Sequence, residues 1–295
     1  MQGILLSGGL GKRLWPITLA TSKQLLPVYD KPLVYYPLST LMLSGVRKIA
    51  VVTAPSALHA HQALLGNGSQ WGISISYAVQ EEPLGIPHAF TVASEILDTS
   101  EPCVLILGDN FFYGPGLGQN IFAESTPGYA ISFAYEVSNP SEFGVVSFDE
   151  FGLPKRIVEK PQEFVSKMAI PGLYRFPSDV FERVIELKPS ARNELEIADL
   201  LNSYIDKKRL DLRMLARGTA WLDTGTSNGL LGASNFVQVL QERQGLLIGS
   251  PDEVAWRLGL ISTQKFIKNI GNYQNSDYGK KLLLMLEPAT GLVNL

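Results

Sequence analysis

Near its start the chain reads Gly3-Ile4-Leu5-Leu6-Ser7-Gly8-Gly9-Leu10-Gly11-Lys12-Arg13-Leu14. A short apolar run gives way to three glycines within four residues and then to two cations. This pattern predicts a strand that leads into a tight loop able to approach phosphate. Because glycine has no Cβ atom and tolerates positive φ, backbone N–H groups can converge on an anion, and Arg13 adds a fork of donors. The stretch therefore predicts a phosphate site without indicating which phosphate.

Two known phosphate loops can be compared with this stretch. A Walker A loop needs a glycine five residues before Gly11 and a Ser or Thr after Lys12, where this chain has Leu6 and Arg13. That loop is therefore excluded. The dinucleotide-binding fingerprint needs a further glycine where Leu14 stands, so it is only partly met. A glycine-rich turn without a ligand stays open as an interpretation of the glycines alone.

The composition indicates an ordinary soluble protein. With 295 residues, 45% of them hydrophobic and 18% charged, the chain can bury one large core or a core with an appendage. A formal charge of −3 and a pI of about 5.7 give no reason to expect nucleic acid or a membrane as a partner. The single cysteine, Cys103, excludes a disulfide framework, and no signal peptide or run of about 18 apolar residues is found. We therefore expect a cytoplasmic protein.

Strand-like and helix-like stretches alternate in the first third of the chain. After the opening strand, the predicted elements are a helix at 38–43, a strand at 48–54, a helix at 56–65, a strand at 73–80, a helix at 87–97 and a strand at 104–107. This alternation is typical of βαβ units, so we predict an α/β fold with a Rossmann-like, mainly parallel or mixed central sheet flanked by helices. Ligands of such sheets bind at the carboxyl ends of the strands.

The rest of the chain has two different patterns. Strand-like runs with few helices between them, at 130–137, 144–148, 155–160 and 168–176, predict antiparallel additions to the same sheet. From residue 228 the pattern is almost wholly helical. We therefore predict an α/β core over residues 1–226, divided near residue 110, and a helical appendage over 227–295 that packs on the core or on another subunit.

Two carboxylates follow apolar stretches of the predicted sheet. Asp109 ends the run Leu107-Gly108-Asp109-Asn110, and Asp223 follows Trp221-Leu222. Carboxylates at strand ends can hold Mg²⁺, which takes one or two of them together with substrate phosphates. Taken singly, an Asp after a strand is more often a turn or helix cap than a metal ligand.

Basic residues lie beside turn residues rather than on a regular helix face. Lys23, Lys160 and Arg192 are of this kind, and together with Arg13 they could surround a phosphate group. Four cations and two carboxylates around Mg²⁺ would supply the charge neutralisation and alignment that nucleotidyl transfer needs, with no protein nucleophile. Each cation alone could be an ordinary surface residue.

A family resemblance covers essentially the full chain. It is carried by Gly8-Gly9-Leu10-Gly11-Lys12-Arg13-Leu14, Ser22-Lys23-Gln24-Leu25-Leu26-Pro27, Tyr35-Tyr36-Pro37-Leu38-Ser39-Thr40-Leu41-Met42-Leu43, Leu107-Gly108-Asp109-Asn110, Glu159-Lys160-Pro161, Glu194-Leu195-Glu196-Ile197 and Trp221-Leu222-Asp223-Thr224-Gly225. The chain resembles the sugar-1-phosphate nucleotidyltransferases, and among them the long, homotetrameric form of the glucose-1-phosphate thymidylyltransferases. Residues 1–110 would then form the nucleotide half and 111–226 the sugar-binding half.

The resemblance implies a reaction and a role for individual residues. The substrates would be dTTP and glucose 1-phosphate, the products dTDP-glucose and pyrophosphate, and the cofactor Mg²⁺. Arg13 and Lys23 would hold the triphosphate, and Lys160 and Arg192 the sugar phosphate. The metal ligands would be Asp109 and Asp223. The remaining implied contacts are Leu6, Gly8, Gly9, Gly11, Gln24, Gln80, Gly85 and Asp109 for the nucleotide, and Gly144, Glu159, Ile170 and Tyr174 for the sugar.

Some positions depart from the family pattern. Lys12 stands where the family usually has Thr or Ser, Pro87 and His88 replace Ala and Gln, and Ile170-Pro171 replaces Val-Thr. These changes leave the preferred hexose and the strictness of dTTP over UTP open, since one methyl group is worth only about 1–3 kcal/mol.

Three further interpretations complete the sequence prediction. The family's long form carries an effector site at a subunit interface, and Tyr113, Gly114, Arg217 and Arg257 fall where that form places its contacts. Plain helix packing explains the same residues equally well. A catalytically silent nucleotide-sugar-binding regulator is the alternative from another functional class.

The histidines give no sign of a metal site. His59 and His61, two residues apart on a predicted helix, point away from each other, so we expect two surface residues rather than a metal pair.

Overall fold

A computed structural model of the chain describes residues 1–9, 11–118 and 121–286. Within this part of the chain the strands are β1 Gln2–Ser7, β2 Pro27–Val28, β3 Lys31–Pro32, β4 Lys48–Thr53, β5 Ser74–Val79, β6 Cys103–Leu107, β7 Asn110–Tyr113, β8 Ala130–Glu136, β9 Gly144–Phe148, β10 Pro154–Glu159, β11 Met168–Ala169, β12 Leu173–Phe176, β13 Leu210–Met214 and β14 Ala220–Asp223. The helices are α1 Tyr35–Leu43, α2 Leu58–Leu65, α3 His88–Ala93, α4 Val180–Glu186, α5 Ile197–Ile205, α6 Ser227–Gln244, α7 Pro251–Arg257, α8 Thr263–Ile270 and α9 Asp277–Leu284.

One ten-stranded sheet runs through the core in the order β10-β9-β11-β8-β12-β6-β1-β4-β5, with β13 paired to β8. The strands β6, β1, β4 and β5 are parallel, as the alternation of strands and helices predicts. Antiparallel strands β12, β8, β11, β9 and β10 extend the same sheet. The predicted α/β class, with a mainly parallel sheet and antiparallel additions, is confirmed. Two small sheets, β14-β7 and β2-β3, lie beside it.

The predicted strand at 168–176 is divided into β11 and β12. Pro171 has no backbone N–H, so the hydrogen-bonded ladder cannot continue through it. The next amide, that of Gly172, donates instead to the side-chain oxygen of Asn110 at 3.0 Å. The break turns this part of the chain toward the carboxyl end of β6.

Both faces of the sheet are covered. Successive residues of β1 point to opposite sides, so Leu5 packs beneath α1 on one face while Ile4 packs beneath α3 on the other, and neither is exposed. A strand buried on both sides reads as a continuous apolar run, which is why β1 was readable in the sequence.

The C-terminal helices pack on the core rather than apart from it. Thr226 begins α6 by accepting a hydrogen bond from the Gly229 amide at 3.1 Å. Apolar residues of α7 and α8, among them Val254 and Phe266, belong to the same buried cluster as Leu38 and Leu41 of α1. The end of the predicted appendage, residues 287–295, lies outside the described residues. In the described part of the chain, no helix has the length and apolar character needed to cross a membrane.

Candidate active site

The glycine-rich stretch leaves the sheet at the carboxyl end of β1, between β4 and β6. Gly11 adopts φ +60°, and its carbonyl oxygen accepts hydrogen bonds from the Leu14 amide and the Thr18 hydroxyl, each at 2.8 Å. A β-carbon at Gly8 would stand 2.7 Å from Oε1 of Gln80, so this part of the loop packs closely against the Gln80 side chain. Leu10, inside the predicted loop, lies outside the described residues.

His61 corrects the prediction that both histidines of α2 lie on the surface. His59 is exposed, but His61 is fully buried behind the start of the loop. Its Nε2 lies 2.7 Å from the hydroxyl of Ser7, and its Nδ1 lies 2.9 Å from the Ala57 carbonyl oxygen. Burial lowers the pKa of His61, which keeps the ring neutral near pH 7. The two-residue spacing that excludes a metal pair also turns one of the two rings toward the sheet.

A cavity of about 230 Å³ opens beside the loop, and we call it the nucleotide compartment. Five of the predicted nucleotide contacts line it, namely Leu6, Gly8, Gly9, Gln80 and Gly85. Two others, Gly11 and Gln24, line neither this cavity nor the adjacent cavity that is described next. Gln24 is buried, and its Oε1 accepts a hydrogen bond from the Ser22 hydroxyl at 2.5 Å.

A second cavity, of about 250 Å³, adjoins the first, and we call it the sugar compartment. The predicted sugar contacts Gly144, Glu159, Ile170 and Tyr174 all line it. The two compartments share Ile86, Glu159, Lys160 and Ile197 as a common wall. The structure therefore places the predicted sugar contacts and most of the predicted nucleotide contacts in two adjoining compartments of one cleft, which share Glu159 and Lys160.

Both predicted metal ligands line the sugar compartment. Burial alone would raise the pKa of Asp109, but the ammonium group of Lys23 forms an ion pair with this carboxylate and, with the side chain of Asn110, lowers the pKa below its usual value. Asp223 differs, because burial raises its pKa and the negative charge of Asp109 raises it further. Lys23 and Arg13 only partly compensate.

The backbone holds these two carboxylates close together. Antiparallel pairing of β7 with β14 sets Asp223 opposite Asn110, the residue after Asp109. The Thr224 hydroxyl donates to the carbonyl oxygen of Asp109 at 2.8 Å, and the Gly225 amide donates to Oδ1 of Asp223 at 3.0 Å. Two neighbouring carboxylates that repel each other form a donor set that fits one Mg²⁺ ion, the rest of whose ligands would be water and phosphate oxygens. Among the described residues, no group of three or more His, Cys, Asp or Glu side chains could hold a metal ion without substrate.

The four predicted basic residues surround the cleft. Arg13 lines the sugar compartment, and its guanidinium group lies next to Gly225, where a β-carbon would stand 2.5 Å from Nη2. Lys23 is 8% exposed and paired with Asp109. Lys160 lines both compartments and adopts φ +45°, a conformation that costs about 1–3 kcal/mol and is common at functional sites.

Arg192 enters the nucleotide compartment from a turn before α5. Its Nη2 lies 2.6 Å from Oε2 of Glu196 and 3.7 Å from Oε1 of Glu159. Hydrogen bonding to Glu196 raises the pKa of Arg192. Burial raises the pKa of Glu159, and the nearby Glu196 and Glu194 act in the same direction, while Lys160 and Arg192 oppose it. The guanidinium group is therefore held by carboxylates at the boundary between the compartments.

Sequence reasoning missed two residues that organise the cleft. Oδ1 of Asn110 accepts hydrogen bonds from the Trp221 indole at 2.7 Å and from the Gly172 amide at 3.0 Å, and its amide donates to Asp109. Asn110 thus joins three segments of the cleft. Glu196 orients Arg192 and also accepts a hydrogen bond from the Ser190 hydroxyl at 2.6 Å. Both residues stood inside the quoted motifs, but nothing in their spacing identified their partners.

A separate cavity of about 270 Å³ lies where the core meets the C-terminal helices, and we call it the seam cavity. Three of the four predicted effector contacts, Tyr113, Gly114 and Arg257, line it. Arg217 does not line it and is exposed. Arg257 pairs with Glu253, with Nε 2.6 Å from Oε1.

Comparisons with known proteins identify the family of this chain. Residues 2–239 match the family described as nucleotidyl transferase. A glucose-1-phosphate thymidylyltransferase of Mycolicibacterium smegmatis is 48% identical over 288 residues, which cover 97% of this chain and 99% of that protein. A protein of the same name from Neisseria meningitidis serogroup A is 48% identical over 289 residues, or 97% of this chain and 100% of that protein.

Solved structures resemble the fold as well. A Bacillus anthracis protein assigned as a glucose-1-phosphate thymidylyltransferase, crystallised with sucrose, gives a TM-score of 0.73 at 34% identity and covers 80% of this chain and 94% of that one. UDP-glucose pyrophosphorylase complexed with UDP-glucose gives a TM-score of 0.68 at 26% identity, over 81% of this chain and 98% of that one.

Proposed function

The chain belongs to the nucleotidyl transferase family, and we propose that it is an enzyme that forms dTDP-glucose and pyrophosphate from dTTP and glucose 1-phosphate. A phosphate oxygen of the sugar would attack the α-phosphorus of dTTP, and the bond from that phosphorus to the β-phosphate oxygen would break. The electron pair of the broken bond leaves with pyrophosphate. The nucleotide sugar keeps both the sugar phosphate and the α-phosphate.

The observation that carries this proposal is that the two compartments adjoin along a shared wall. A nucleotide in one compartment and a sugar phosphate in the other would meet at Glu159 and Lys160, beside Asp109 and Asp223. Alignment and charge neutralisation are the main requirements of phosphoryl and nucleotidyl transfer, because the protein contributes no covalent bond. The cleft supplies both.

Individual side chains have distinct tasks in this reaction. Arg13 and Lys23 neutralise the triphosphate and then the departing pyrophosphate. Lys160 and Arg192 hold the sugar phosphate in line with the α-phosphorus. Because Arg192 is itself held by Glu196, its donors are oriented before substrate arrives. Gly144, Glu159, Ile170 and Tyr174 hold the hexose.

Asp109 and Asp223 would bind Mg²⁺, which neutralises phosphate charge when it is bound. The raised pKa of Asp223 supports this assignment, since a cation between two mutually repelling carboxylates would stabilise the ionised form. Lys23 only partly stabilises the ionised form of Asp223, because its ammonium group is already paired with Asp109.

The test is a panel of nucleoside triphosphates against sugar 1-phosphates, with pyrophosphate release as the readout and each reaction run with and without Mg²⁺. We expect the highest kcat/KM for dTTP with glucose 1-phosphate, and no release when Mg²⁺ is removed by a chelator. Binding of dTTP without pyrophosphate release from any hexose phosphate would contradict the proposal and favour a nucleotide-sugar-binding regulator.

UTP, or a modified hexose 1-phosphate, is the second candidate substrate. Ile86 lines the nucleotide compartment, and His88, which does not, contacts Gln80 of its lining; the family usually has Gln at the position of His88. A UDP-glucose pyrophosphorylase also shares the fold at 26% identity. The same panel separates these candidates by their relative kcat/KM values.

Assembly and regulation are further parts of the proposal. We infer that the protein is a homotetramer. We also infer that the seam cavity binds a nucleotide effector, which would contact Tyr113, Gly114 and Arg257 of the lining and also Arg217, which does not line the cavity. A mass measurement in solution tests the assembly.

We also propose that the protein acts in the cytoplasm. Cys103 is buried and burial raises its pKa, so the thiol is unreactive, and a reduced thiol is typical of cytoplasmic proteins.

A further inference from the structure

The glycines that follow β1 are held mainly at the two ends of their loop. With the described residues, neither Gly8 nor Gly9 forms a backbone hydrogen bond, so both amides are available to an anion. At the far end, the carbonyl oxygen of Gly11 accepts two hydrogen bonds. At the near end stands Ser7, the last residue of β1, whose hydroxyl contacts His61. The place of the two amides therefore depends on these end contacts.

His61 contacts the near end of the loop from below. It belongs to α2 and is fully buried. Parallel pairing of β1 with β4 sets Ser7 beside Thr53, whose hydroxyl oxygen lies 3.3 Å from Nδ1 of His61. Ser7 and Thr53 are buried as well. Three buried polar side chains, one from each of β1, β4 and α2, thus meet at the point where the loop begins.

The contacts decide which ring nitrogen of His61 carries the hydrogen. The Ala57 carbonyl oxygen, 2.9 Å from Nδ1, can only accept, so Nδ1 must donate to it. Burial lowers the pKa of His61, so the ring is neutral near pH 7 and Nε2 keeps its lone pair. The Ser7 hydroxyl, 2.7 Å from Nε2, therefore donates to this nitrogen. A hydrogen bond of defined direction ties the end of β1 to α2.

The loop faces only one of the two compartments. Gly8 and Gly9 line the nucleotide compartment, and neither is among the described residues that line the sugar compartment. A shift of the loop would therefore change the binding of the nucleotide and leave that of the sugar phosphate. Since a misplacement of about 1 Å can cost up to about 10² in rate, an anchor behind the loop has a measurable effect.

We propose that His61 is a positioning residue that, through the Ser7 hydroxyl, holds the amides of Gly8 and Gly9 where they receive the phosphates of the nucleotide. His61 itself touches no substrate, because it is fully buried behind the loop. The inference rests on the proposed function only in that the nucleotide compartment must take a nucleoside triphosphate.

The test measures nucleotide binding, turnover and stability in the same variants. Calorimetry gives Kd for dTTP, pyrophosphate release gives KM for dTTP and for glucose 1-phosphate, and thermal unfolding gives Tm. The variants are Ser7→Ala, His61→Phe, the double variant Ser7→Ala/His61→Phe, and His61→Gln, whose side-chain oxygen can accept from Ser7. His59→Phe, the same substitution at an exposed position of α2, is the matched control.

The two single variants should affect one substrate only. Ser7→Ala and His61→Phe should each weaken Kd and raise KM for dTTP about tenfold, while KM for glucose 1-phosphate stays within about threefold of wild type. Both should lower Tm, because each leaves a buried polar group without its partner. His61→Gln should restore Kd to within about threefold of wild type. His59→Phe should match wild type in every measurement.

The double variant separates positioning from packing. It removes both polar groups, so its Tm should return close to the wild-type value. Its Kd for dTTP should nevertheless stay at least about fivefold weaker, because no hydrogen bond then ties the start of the loop to α2.

A wild-type Kd in the double variant would overturn the inference, because it would show that the pair only fills space. An equal rise of both KM values in the single variants would also overturn it, since that result indicates a general loosening of the fold. Failure of wild-type protein to bind dTTP would contradict the proposed function and the inference together, whereas wild-type binding with unaffected variants would contradict the inference alone.

Discussion

Each compartment of the reaction cleft is similar in volume to the seam cavity, but the cleft and the seam cavity differ in the charges that they contain. In the cleft, burial and the charge of Asp109 both raise the pKa of Asp223. In the seam cavity burial raises the pKa of Glu253, but the charged neighbours that act on it, Arg257 and Lys31, are both cations. The cleft thus contains two carboxylates that repel each other, and a bound cation would relieve this repulsion. In the seam cavity the carboxylate of Glu253 is instead paired with the cation Arg257. Unbalanced charge, rather than volume, distinguishes the reaction site.

Removing a carboxylate from the cleft should have the largest effect and should separate activity from stability. We expect Asp223→Asn to lower kcat by about 10³ or more, since it removes a ligand of the proposed metal ion. The same change should raise Tm, because it removes a carboxylate whose ionisation is disfavoured in the folded state. Pyrophosphate release and thermal unfolding measure the two effects.

Asp109→Asn provides the contrast within the cleft. It should be as inactive as Asp223→Asn but less stable than wild type by about 3 kcal/mol, because the buried Lys23 ammonium group would lose its partner. Equal stability of Asp109→Asn and Asp223→Asn in denaturant unfolding would contradict the assignment of Lys23 as the partner of Asp109.

Arg13 and Lys12 form the next comparison, since both are exposed cations on the same short turn. Arg13→Ala should lower kcat/KM for dTTP by about 10²–10³, the usual cost of removing one donor from a developing negative charge. Lys12→Ala, the matched control, should change it less than about threefold, because Lys12 is not among the described residues that line either compartment. A larger effect at Lys12 would assign the phosphate contact to the wrong cation.

The stability gain of Asp223→Asn should depend on pH. The pKa of Asp223 is raised above its ordinary 3.8 in the folded state, so this carboxyl favours folding below that pH and loses that advantage as pH rises through the raised value. The Tm difference between variant and wild type should therefore be small at pH 4 and larger at pH 7.5. A Tm difference that is largest at low pH would contradict a raised pKa of Asp223.

Arg257 in the seam cavity should give the smallest effect on catalysis. Arg257→Ala removes an exposed partner of Glu253 and should leave uninhibited kcat/KM within about threefold of wild type. It should weaken inhibition by nucleotide products, if the seam cavity takes the effector as proposed. A large loss of uninhibited activity would instead connect the seam cavity directly to the cleft.

Local patterns in the sequence predicted much of the fold. The apolar run of β1, the glycines after it and the alternation of strands with helices depend on neighbouring residues, so they were readable without the structure. Pro171 divides a predicted strand because its amide hydrogen is missing, but where the chain then turns depends on Asn110, 62 residues away from Gly172.

The site residues show the same limit. Arg13, Asp109 and Asp223 stood beside glycines or strand ends, and the structure brings them together in the cleft. The roles of His61 and Asn110 follow from partners far away in the chain, such as Trp221, which is 111 residues from Asn110. No local spacing encodes such contacts, and their residue types fit a surface or a turn equally well.

The central claim is that the cleft joins the α-phosphate of dTTP to a sugar phosphate. The most direct measurement follows a radioactive phosphorus placed at either the α or the γ position of dTTP, incubated with glucose 1-phosphate, Mg²⁺ and pyrophosphatase-free enzyme, with products separated by chromatography. The account predicts that the α label appears in dTDP-glucose and the γ label in pyrophosphate, in equal amounts. Label in inorganic phosphate or in a phosphorylated protein, with none in a nucleotide sugar, would contradict it.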